Sequence, residues 1–433
     1  MNTFYHGDCL FVLWHDILPE SVDLIYLDPP FFTGKIQKGK WQPGAMEVSY
    51  EDSKRFWAEK AEVMRQRAPE WLKHVAIRRP DFASYLYYMM ERLQACKDVL
   101  NQKGSIYLHC DWRASHYLKM IMDDIFGVTN FQNEIVWQYT VGGKSKSRFA
   151  RKHDIIFFYS KGREWTFNGK DVGIPRKTGT NSFGGKIGVD ENGRPYQDKR
   201  TKQGKVYRYY LDEGKIPEDV WAIESIQSQD KERSGYPTQK PQKLLERIIK
   251  ASSNEGDLVL DPFCGCGTTA IVASQWNRKF IGIDIDTSER KRGELPTAFS
   301  VIKNLSHELF AQARYVTRDL SEVLEMDGRA FEIWVNEFYK ATKPQPDRGV
   351  DGITQDGIPI QSKVYEIKYD KLSQFINDAK YHPKVPKPIK KILAVSQSGF
   401  DDSARKLKFE IETAEKIEVV LTTPEEMLKL ETA

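Results

Sequence analysis

Short apolar runs alternate with amphipathic stretches along the first two thirds of the chain. The runs at residues 23–27, 258–260 and 279–284 predict buried strands of a parallel sheet, because a strand that is covered on both faces is apolar throughout. Residues 82–100 have the apolar spacing of a longer amphipathic helix between strands. This alternation predicts an α/β fold with a mainly parallel sheet and helices on both of its faces.

Interruptions of this alternation predict the domain organisation. An insert with mostly helical patterning and several tryptophans interrupts the first part of the chain, and a capping pair of helices is favoured there over a mobile flap or DNA clamp. A glycine-rich, weakly periodic stretch follows later, and residues 289–304 read as a charged connector. The predicted parts are residues 1–160 with the insert at 38–80, residues 161–236, residues 237–305 and residues 310–433.

The tetrapeptide Asp28-Pro29-Pro30-Phe31 ends the strand predicted at 23–27. Each proline fixes φ at about −65° and removes an N–H, so the carbonyl between strand and prolines has no ladder partner. An anionic oxygen, a rigid carbonyl and an aromatic ring therefore lie together where open α/β sheets bind ligands. Such a group can accept two hydrogen bonds from an exocyclic amine while the ring stacks on the heterocycle, which suits methylation of a base amine. The alternative is a strand followed by a proline-rich turn.

A second cluster, at residues 258–269, runs from an apolar strand through a glycine-bearing loop into a helix. Gly265 and Gly267 let the backbone approach a ligand closely, and the helix start offers free N–H groups. Asp284 ends the next strand about twenty residues beyond the glycines, where dinucleotide-binding units place an acid that bonds ribose hydroxyls. The usual third glycine is missing, so a nucleoside with an amino-acid tail fits better than a nicotinamide cofactor.

Together these residues resemble the DNA amino-methyltransferases that use S-adenosylmethionine. The catalytic motif precedes the cofactor motif, as in the permuted beta group of that family. The resemblance implies a Rossmann-like methyltransferase sheet with a target-recognition insert at 161–236. Further segments similar to the family follow in the same order, at residues 5–10, 104–111, 152–159 and 237–241.

The resemblance also implies roles for single residues. Asp28, Pro29, Pro30 and Phe31 are the expected catalytic residues, with Asp28 accepting the amine hydrogens and Phe31, in place of the commoner Tyr, stacking on a flipped base. Adenine N6 is the implied target because the motif begins with Asp; cytosine-N4 enzymes, the alternative, more often carry Ser there. The expected cofactor-binding residues are Asp8, Thr238, Lys240, Asp261, Phe263, Gly265, Gly267, Thr268 and Asp284.

The net charge of +4 is unevenly distributed. Residues 137–236 contain 20 basic and 13 acidic residues, which gives +7 there and −3 for the rest of the chain. Two basic runs lie among aromatic residues and glycines, which suits the phosphate backbone and grooves of DNA better than a solvated basic loop. The expected DNA-binding residues are Lys144, Lys146, Arg148, Arg151, Lys152, Lys199, Arg200, Lys202 and Lys205.

The composition, 40% hydrophobic and 29% charged, is that of an ordinary globular protein. The five cysteines are scattered, and Cys264 and Cys266 read as small filler in the cofactor loop rather than metal ligands. No secretory or membrane-spanning segment is evident, so we expect a cytoplasmic protein that acts on double-stranded DNA and not on a membrane. The sequence is compatible with a homodimer and with a separate partner nuclease. Two other classes are alternatives, an RNA or small-molecule methyltransferase and a non-catalytic DNA-binding protein that keeps the fold.

The last domain carries a further set of candidate residues. Asp351 and the pair Gln361 and Lys363 fall on two short strands joined by a glycine turn, which brings the three side chains together. An acid, an amide oxygen and a lysine can hold Mg²⁺ and orient an attacking water. The domain resembles the restriction-endonuclease fold, in particular its Mrr-like branch with Gln in place of the second acid. Glu366 and Lys368 are a rival for the acid-x-lysine pair.

Three interpretations of this domain stay open. The first is that the domain cleaves DNA, with Asp351 as the metal ligand and Mg²⁺ as the cofactor. The second is that it is a catalytically inactive nuclease fold that binds DNA or a partner. The third is that it is an unrelated α/β module.

Overall fold

In the computed structural model the chain forms two compact units, Met1–Val316 and Thr317–Ala433. Parts of the predicted insert at 38–80 and of the charged connector at 289–304 lie outside the described residues, as does Pro237. The described residues are 2–35, 37–40, 47–50, 52, 54–59, 68–140, 144–174, 187–227, 229–236, 238–285, 297–344 and 349–428.

The strands up to the end of the first unit are β1 (Thr3–His6), β2 (Val22–Leu27), β3 (Gln37–Lys40), β4 (Glu47–Tyr50), β5 (Leu100–Cys110), β6 (Phe131–Gln138), β7 (His153–Ser160), β8 (Ile187–Val189), β9 (Pro195–Arg200), β10 (Val206–Tyr210), β11 (Val220–Ala222), β12 (Leu258–Asp261), β13 (Lys279–Asp284) and β14 (Arg314–Thr317). The helices are α1 (Cys9–His15), α2 (Lys54–Glu59), α3 (Glu70–Arg78), α4 (Pro80–Val99), α5 (Ser115–Phe126), α6 (Gln242–Ser252), α7 (Thr268–Gln275), α8 (Thr297–Leu305) and α9 (His307–Gln312).

Nine of these strands form one sheet in the order β11-β6-β7-β5-β2-β12-β13-β1-β14. The central strands β5, β2, β12, β13 and β1 run parallel to one another, and β7 is antiparallel to β5 and β6. The predicted α/β fold with a mainly parallel sheet is thus confirmed. Because β2 lies beside β12, the strands that lead into the two predicted motifs end next to each other at one edge of the sheet.

The described part of the insert after β2 holds a hairpin and short helices rather than helices alone. Strands β3 and β4 pair antiparallel, and α2 and α3 follow. Trp57 of α2 is 1% exposed and packs edge-on against Tyr85 and Tyr88 of α4. Burial of a large aromatic ring explains why this short helix stays on the body of the unit.

The stretch between β7 and α6 carries a small separate sheet. Its antiparallel order is β10-β9-β8. Exposed ion pairs link its strands and turns, Arg208 with Asp198 and Arg194 with Asp212. This sheet lies within the predicted target-recognition insert.

The expectation of a charged connector at 289–304 is wrong for its second part. Residues Thr297–Leu305 form the helix α8, and Phe299, Val301 and Ile302 are fully buried. The charged run at 289–294 precedes apolar residues that begin at Ala298 and have the spacing of a core-facing helix. The charged run dominates the composition of the segment, so the segment reads as a connector.

The second unit has its own four-stranded sheet in the order β15-β16-β17-β18. Strand β15 is antiparallel to β16, and β16, β17 and β18 are parallel. None of the described helices of either unit is both long and apolar enough to cross a membrane. The elements of the unit are α10 (Leu320–Glu325), α11 (Gly328–Phe338), β15 (Gly352–Ile353), β16 (Pro359–Lys363), α12 (Tyr369–Tyr381), β17 (Lys391–Ser396), α13 (Asp402–Glu415), β18 (Glu418–Thr422) and α14 (Pro424–Met427).

Candidate active site

One cavity at the carboxyl ends of β2, β12 and β13 holds both predicted motifs. Its volume is about 260 Å³, and Asp28 and Asp261 both line it. The strands that precede these residues are paired, with Ile25 beside Leu260, so the sheet itself brings the two motifs together. All the residues predicted as catalytic or cofactor-binding line this cavity except Gly267.

The Asp28 carboxylate lies between a lysine and a histidine. Its side chain is 15% exposed, and its Oδ2 accepts a short hydrogen bond from the Lys240 ammonium. Its Oδ1 has no hydrogen-bond partner among the described residues and lies 3.7 Å from Nδ1 of His109. The side chain as a whole lines the cavity, so its carboxylate can accept an N–H from a ligand there.

The two phenylalanines after the prolines have different surroundings. Phe31 is half-buried and lines the cavity, with its ring centroid 5.3 Å from that of His109. Phe32 has φ of +54°, a left-handed conformation that is strained for a bulky residue. Its ring is 6% exposed and packs on Phe82 at a centroid distance of 5.1 Å. The strained turn therefore leaves Phe31 at the cavity wall while Phe32 anchors the segment in the core.

A buried histidine, given no role by the sequence reasoning, connects Asp28 to a second acid. His109 on β5 is fully buried, and its Nδ1 lies 2.9 Å from the hydroxyl of Tyr26. Its Nε2 lies 3.4 Å from Oδ2 of Asp154. Burial raises the pKa of the Asp154 carboxyl, but interactions with His109, together with the charge of Lys240 and the hydrogen bond from Tyr139, outweigh burial and lower the pKa below its usual value. The signal in the sequence is a polar residue within an apolar strand that pairs with β2.

The glycine loop after β12 is held by carboxylates. The buried Asp261 accepts hydrogen bonds from the Thr269 hydroxyl at 2.5 Å and from the backbone N–H of Phe263 at 3.0 Å. Burial raises the pKa of Asp261 to about 7. The backbone N–H of Gly265 donates to Asp284 Oδ2 at 2.8 Å, so Asp284 fixes the loop as well as lining the cavity.

Gly265 and Gly267 both have positive φ, +48° and +73°. A Cβ on Gly267 would lie 2.6 Å from Cγ1 of Ile302 on α8, so this glycine permits close packing of the loop rather than contact with a ligand. A Cβ on Gly265 would lie 3.0 Å from the ring of Tyr236 at the cavity wall. The two glycines therefore differ in function, and Gly265 is the one that faces the cavity.

The donor set of the cavity fits a nucleoside with an amino-acid tail. Asp8 and Asp284 offer carboxylate oxygens for hydroxyl and amine groups, and Lys240 offers a cation for a carboxylate. Asp8 also caps α1 and receives two hydrogen bonds from Arg92, at 2.8 and 2.6 Å, so its orientation is fixed. The side chain of Thr238 is exposed, and its carbonyl accepts from Lys240 at 3.1 Å.

A second residue missed from the sequence is Asp52, between β4 and α2. This fully buried acid accepts from the backbone N–H and the hydroxyl of Thr33, both at 2.7 Å, and from the Trp57 indole at 3.0 Å. Burial raises the pKa of Asp52. The insert is thus tied directly to the segment that follows Phe31.

The predicted DNA-binding residues lie on two separate elements. Residues 144–152 belong to the link between β6 and β7, and nearly all of them are exposed. The guanidinium of Arg151 lies 3.4 Å over the ring of Trp112, just beyond β5. Lys199 and Arg200 end β9, while Lys202 and Lys205 lie in the turn to β10.

In the second unit the structure brings Asp351 and Lys363 together. Lys363 Nζ lies 3.0 Å from Asp351 Oδ2, which also accepts from the backbone N–H of Ser362 at 2.8 Å. Gln361 Oε1 is buried without a hydrogen-bond partner among the described residues. The rival pair, Glu366 and Lys368, is exposed on a different segment. No group of three or more acids, histidines or cysteines suited to a metal ion occurs within the described ranges.

Comparison with known proteins gives the family. A sequence model of the family described as DNA methylase matches residues 22–292. The DNA adenine methyltransferase YhdJ of Escherichia coli (strain K12) is 30% identical over 67% of this chain and 81% of its own. The type II methyltransferase M.HpaI of Haemophilus parainfluenzae is 29% identical over 63% of this chain and 83% of its own. A crystal structure of M1.HpyAVI with SAM is 18% identical, with a TM-score of 0.40, over 70% of this chain and 98% of that one.

Proposed function

The chain belongs to the DNA methylase family, and on that premise we propose that it methylates N6 of adenine in double-stranded DNA. As a member of this family it is an S-adenosylmethionine-dependent DNA methyltransferase. The observation that carries the proposal is the single cavity lined by Asp28 and by the glycine loop after Asp261. Asp at the start of the tetrapeptide, and the name of the E. coli relative as a DNA adenine methyltransferase, support adenine over cytosine.

The tetrapeptide would activate and hold the target amine. The lone pair of the exocyclic nitrogen is delocalised into the ring, so the amine is a weak nucleophile. The Asp28 carboxylate on the cavity wall takes a hydrogen bond from the amine and favours the pyramidal, more nucleophilic nitrogen. Phe31 stacks on the extruded base. His109, whose Nδ1 lies 3.7 Å from Oδ1, would add a polar contact on the buried side of the carboxylate.

The cofactor half would hold the methyl donor. When bound, S-adenosylmethionine would supply the methyl group: the amine nitrogen attacks the methyl carbon in line with the breaking C–S bond, S-adenosylhomocysteine leaves, and the methylated amine releases one proton to water. Asp8 and Asp284 accept from its nucleoside part, Phe263 packs beside it, and Lys240 reaches its carboxylate. These residues need only position the reactants, because orientation supplies most of the acceleration in such a displacement.

A product analysis tests the proposal. The full chain is incubated with S-adenosylmethionine and unmethylated double-stranded DNA, and the DNA is digested to nucleosides for mass spectrometry. We expect N6-methyldeoxyadenosine. N4-methyldeoxycytidine in its place would transfer the assignment to cytosine, and methylation of RNA without methylation of DNA would refute it. Single-molecule sequencing of DNA from a host that expresses the protein then maps the recognised site.

We propose a second activity for the second unit, Mg²⁺-dependent cleavage of DNA. The supporting observations are the contact of Asp351 with Lys363 and, two residues before Lys363 on β16, a buried Gln361 amide oxygen with no hydrogen-bond partner among the described residues. Carboxylate and amide oxygens suit Mg²⁺, which completes its shell with waters and substrate phosphates. Lys363 would orient and polarise the attacking water. A non-catalytic DNA- or partner-binding module is the alternative.

Supercoiled, unmethylated plasmid distinguishes these two functions of the second unit. With Mg²⁺ we expect nicked or linear product from the full chain and none from Lys363→Ala, while both proteins methylate DNA equally. Lys368→Ala is the matched control, since Lys368 is exposed and belongs to the rival pair. Absence of cleavage with Mg²⁺ or Mn²⁺ would leave the non-catalytic module as the function of this unit.

A further inference from the structure

The link between β6 and β7 leaves the sheet at the edge where the candidate active site lies. Gln138, the last residue of β6, pairs with His153, the first of β7. In the neighbouring pair, Cys110 at the end of β5 lies beside Ile155. Because β5 is parallel to β2, this link and the segment that carries Asp28 project from the same edge.

The ends of this link are fixed to the active-site network. The backbone N–H of Tyr139 donates to the carbonyl of Lys152 at 3.1 Å, and Lys152 Nζ donates to the carbonyl of Thr140 at 2.8 Å. The Tyr139 hydroxyl donates at 3.3 Å to Asp154, the acid that contacts His109. The base of the link is therefore hydrogen-bonded across its two ends and lies next to Asp154 and His109.

The link carries a phenylalanine whose side chain is almost completely in solvent. Phe149 is 98% exposed, the highest exposure among the large apolar residues that the structure describes. Residues 144–152 contain five basic residues and no acidic one. The basic residues of the same segment favour a polyanionic partner over an apolar protein surface.

We propose that Phe149 is a wedge that enters the base stack of double-stranded DNA beside the target base and fills the space that the flipped base leaves. The inference rests on the proposed methylation of a flipped base. The surrounding lysines and arginines bind the phosphates on either side, which brings the ring to the duplex. In other DNA-binding proteins apolar side chains insert between base steps, where they partly unstack the bases and kink the duplex.

The test compares paired and unpaired targets at the mapped site. One duplex carries the target base in a normal pair, and a second carries it opposite an abasic position, where little pairing must be broken. For Phe149→Ala we expect kcat/KM on the paired duplex to fall on the order of tenfold, because extrusion of a paired base costs a few kcal/mol. On the second duplex the variant should match the wild type within about twofold. Phe149→Leu, which keeps an apolar wedge, should retain most of the activity on both.

Two controls separate the wedge from other effects. Phe409→Ala removes an equally apolar ring that is 71% exposed on α13 of the second unit, and it should leave both substrates unaffected. Arg148→Ala should weaken binding to both duplexes and lower the dependence on salt. Fluorescence of 2-aminopurine at the target position reports extrusion directly and should be lost in Phe149→Ala on the paired duplex alone.

If the wild type methylates DNA, two kinetic results would overturn the inference: full activity of Phe149→Ala on the paired duplex, or an equal loss of activity on both duplexes. A different oligomeric state of Phe149→Ala in light scattering would also overturn it, because Phe149 would then be a contact between two copies of the chain. Absence of methylation by the wild type would instead refute the proposed function, so the two failures are distinguishable.

Discussion

Substitution of Asp28 separates its role in the chemistry from its role as the partner of Lys240. The two side chains are 15% and 9% exposed and share a short hydrogen bond. Asp28→Ala leaves a buried ammonium without its counter-charge, and truncation of one partner of a buried pair costs about 3–5 kcal/mol. The neighbouring cavity gives water some access, so we expect about 3 kcal/mol. Asp28→Asn keeps an oxygen that accepts from Lys240 and should lose only about 1 kcal/mol.

Turnover should respond differently from stability. Both variants remove the anionic acceptor for the amine, and loss of one preorganised group in an active site lowers kcat about a hundredfold or more. Binding of S-adenosylmethionine should remain close to that of the wild type, or become tighter, since Lys240 no longer pairs with Asp28. Urea unfolding, single-turnover methyl transfer and titration calorimetry measure the three quantities.

A double substitution tests the physical reasoning itself. Asp28→Ala combined with Lys240→Met removes both charges, so most of the lost free energy of unfolding should return, although Lys240→Met weakens cofactor binding. Turnover by Asp28→Asn within tenfold of the wild type would refute the catalytic role. Asp28→Ala with an unchanged free energy of unfolding would refute the buried pair.

Three further predictions follow from the same site. Burial raises the pKa of Asp261 from about 4 in the unfolded chain to about 7 in the native state. The native state is therefore most stable below about pH 4 and loses on the order of 4 kcal/mol of free energy of unfolding as the pH rises to about 7. Asp261→Asn should abolish this pH dependence in urea titrations. His109→Asn should lower kcat without changing cofactor affinity, and an unchanged kcat would contradict its positioning role. Gly267→Ala should destabilise the protein more than Gly193→Ala, because both have positive φ, +73° and +79°, but only the first Cβ meets a neighbour within 4 Å; equal thermal shifts would contradict the packing argument.

The sequence is enough to place Asp28 and Asp261 at one edge, because both follow apolar strands of a parallel sheet and such strands end on the same side. It is not enough for His109, which comes next to Asp28 only through the register of β2 with β5. Asp52 is not predicted either, because its hydrogen bonds to Thr33 join residues that are 19 positions apart in the sequence. Lys240 is recognisable as a site residue, but its hydrogen bond to Asp28, 212 residues away, depends on the tertiary fold.

The helix Thr297–Leu305 shows a second reason why the sequence pattern alone does not predict the fold. The pattern of a few apolar residues after a charged run resembles that of a linker, and only tertiary packing makes those residues core, with Phe299 against Phe4 of β1 and Ile302 against the glycine loop. Gly267 is an example of this coupling, because the glycine is explained by Ile302 rather than by a ligand.

The pairing of β1 with β13 has a consequence for biosynthesis. His6 finds its partner Asp284 only after some 280 more residues have been translated, which at about 5–20 residues per second takes roughly 15–60 s. Until then the nascent chain displays an incomplete apolar sheet to the crowded interior of the cell. Slower growth at low temperature, or abundant chaperones, should therefore increase the yield of folded enzyme more than any change at its surface.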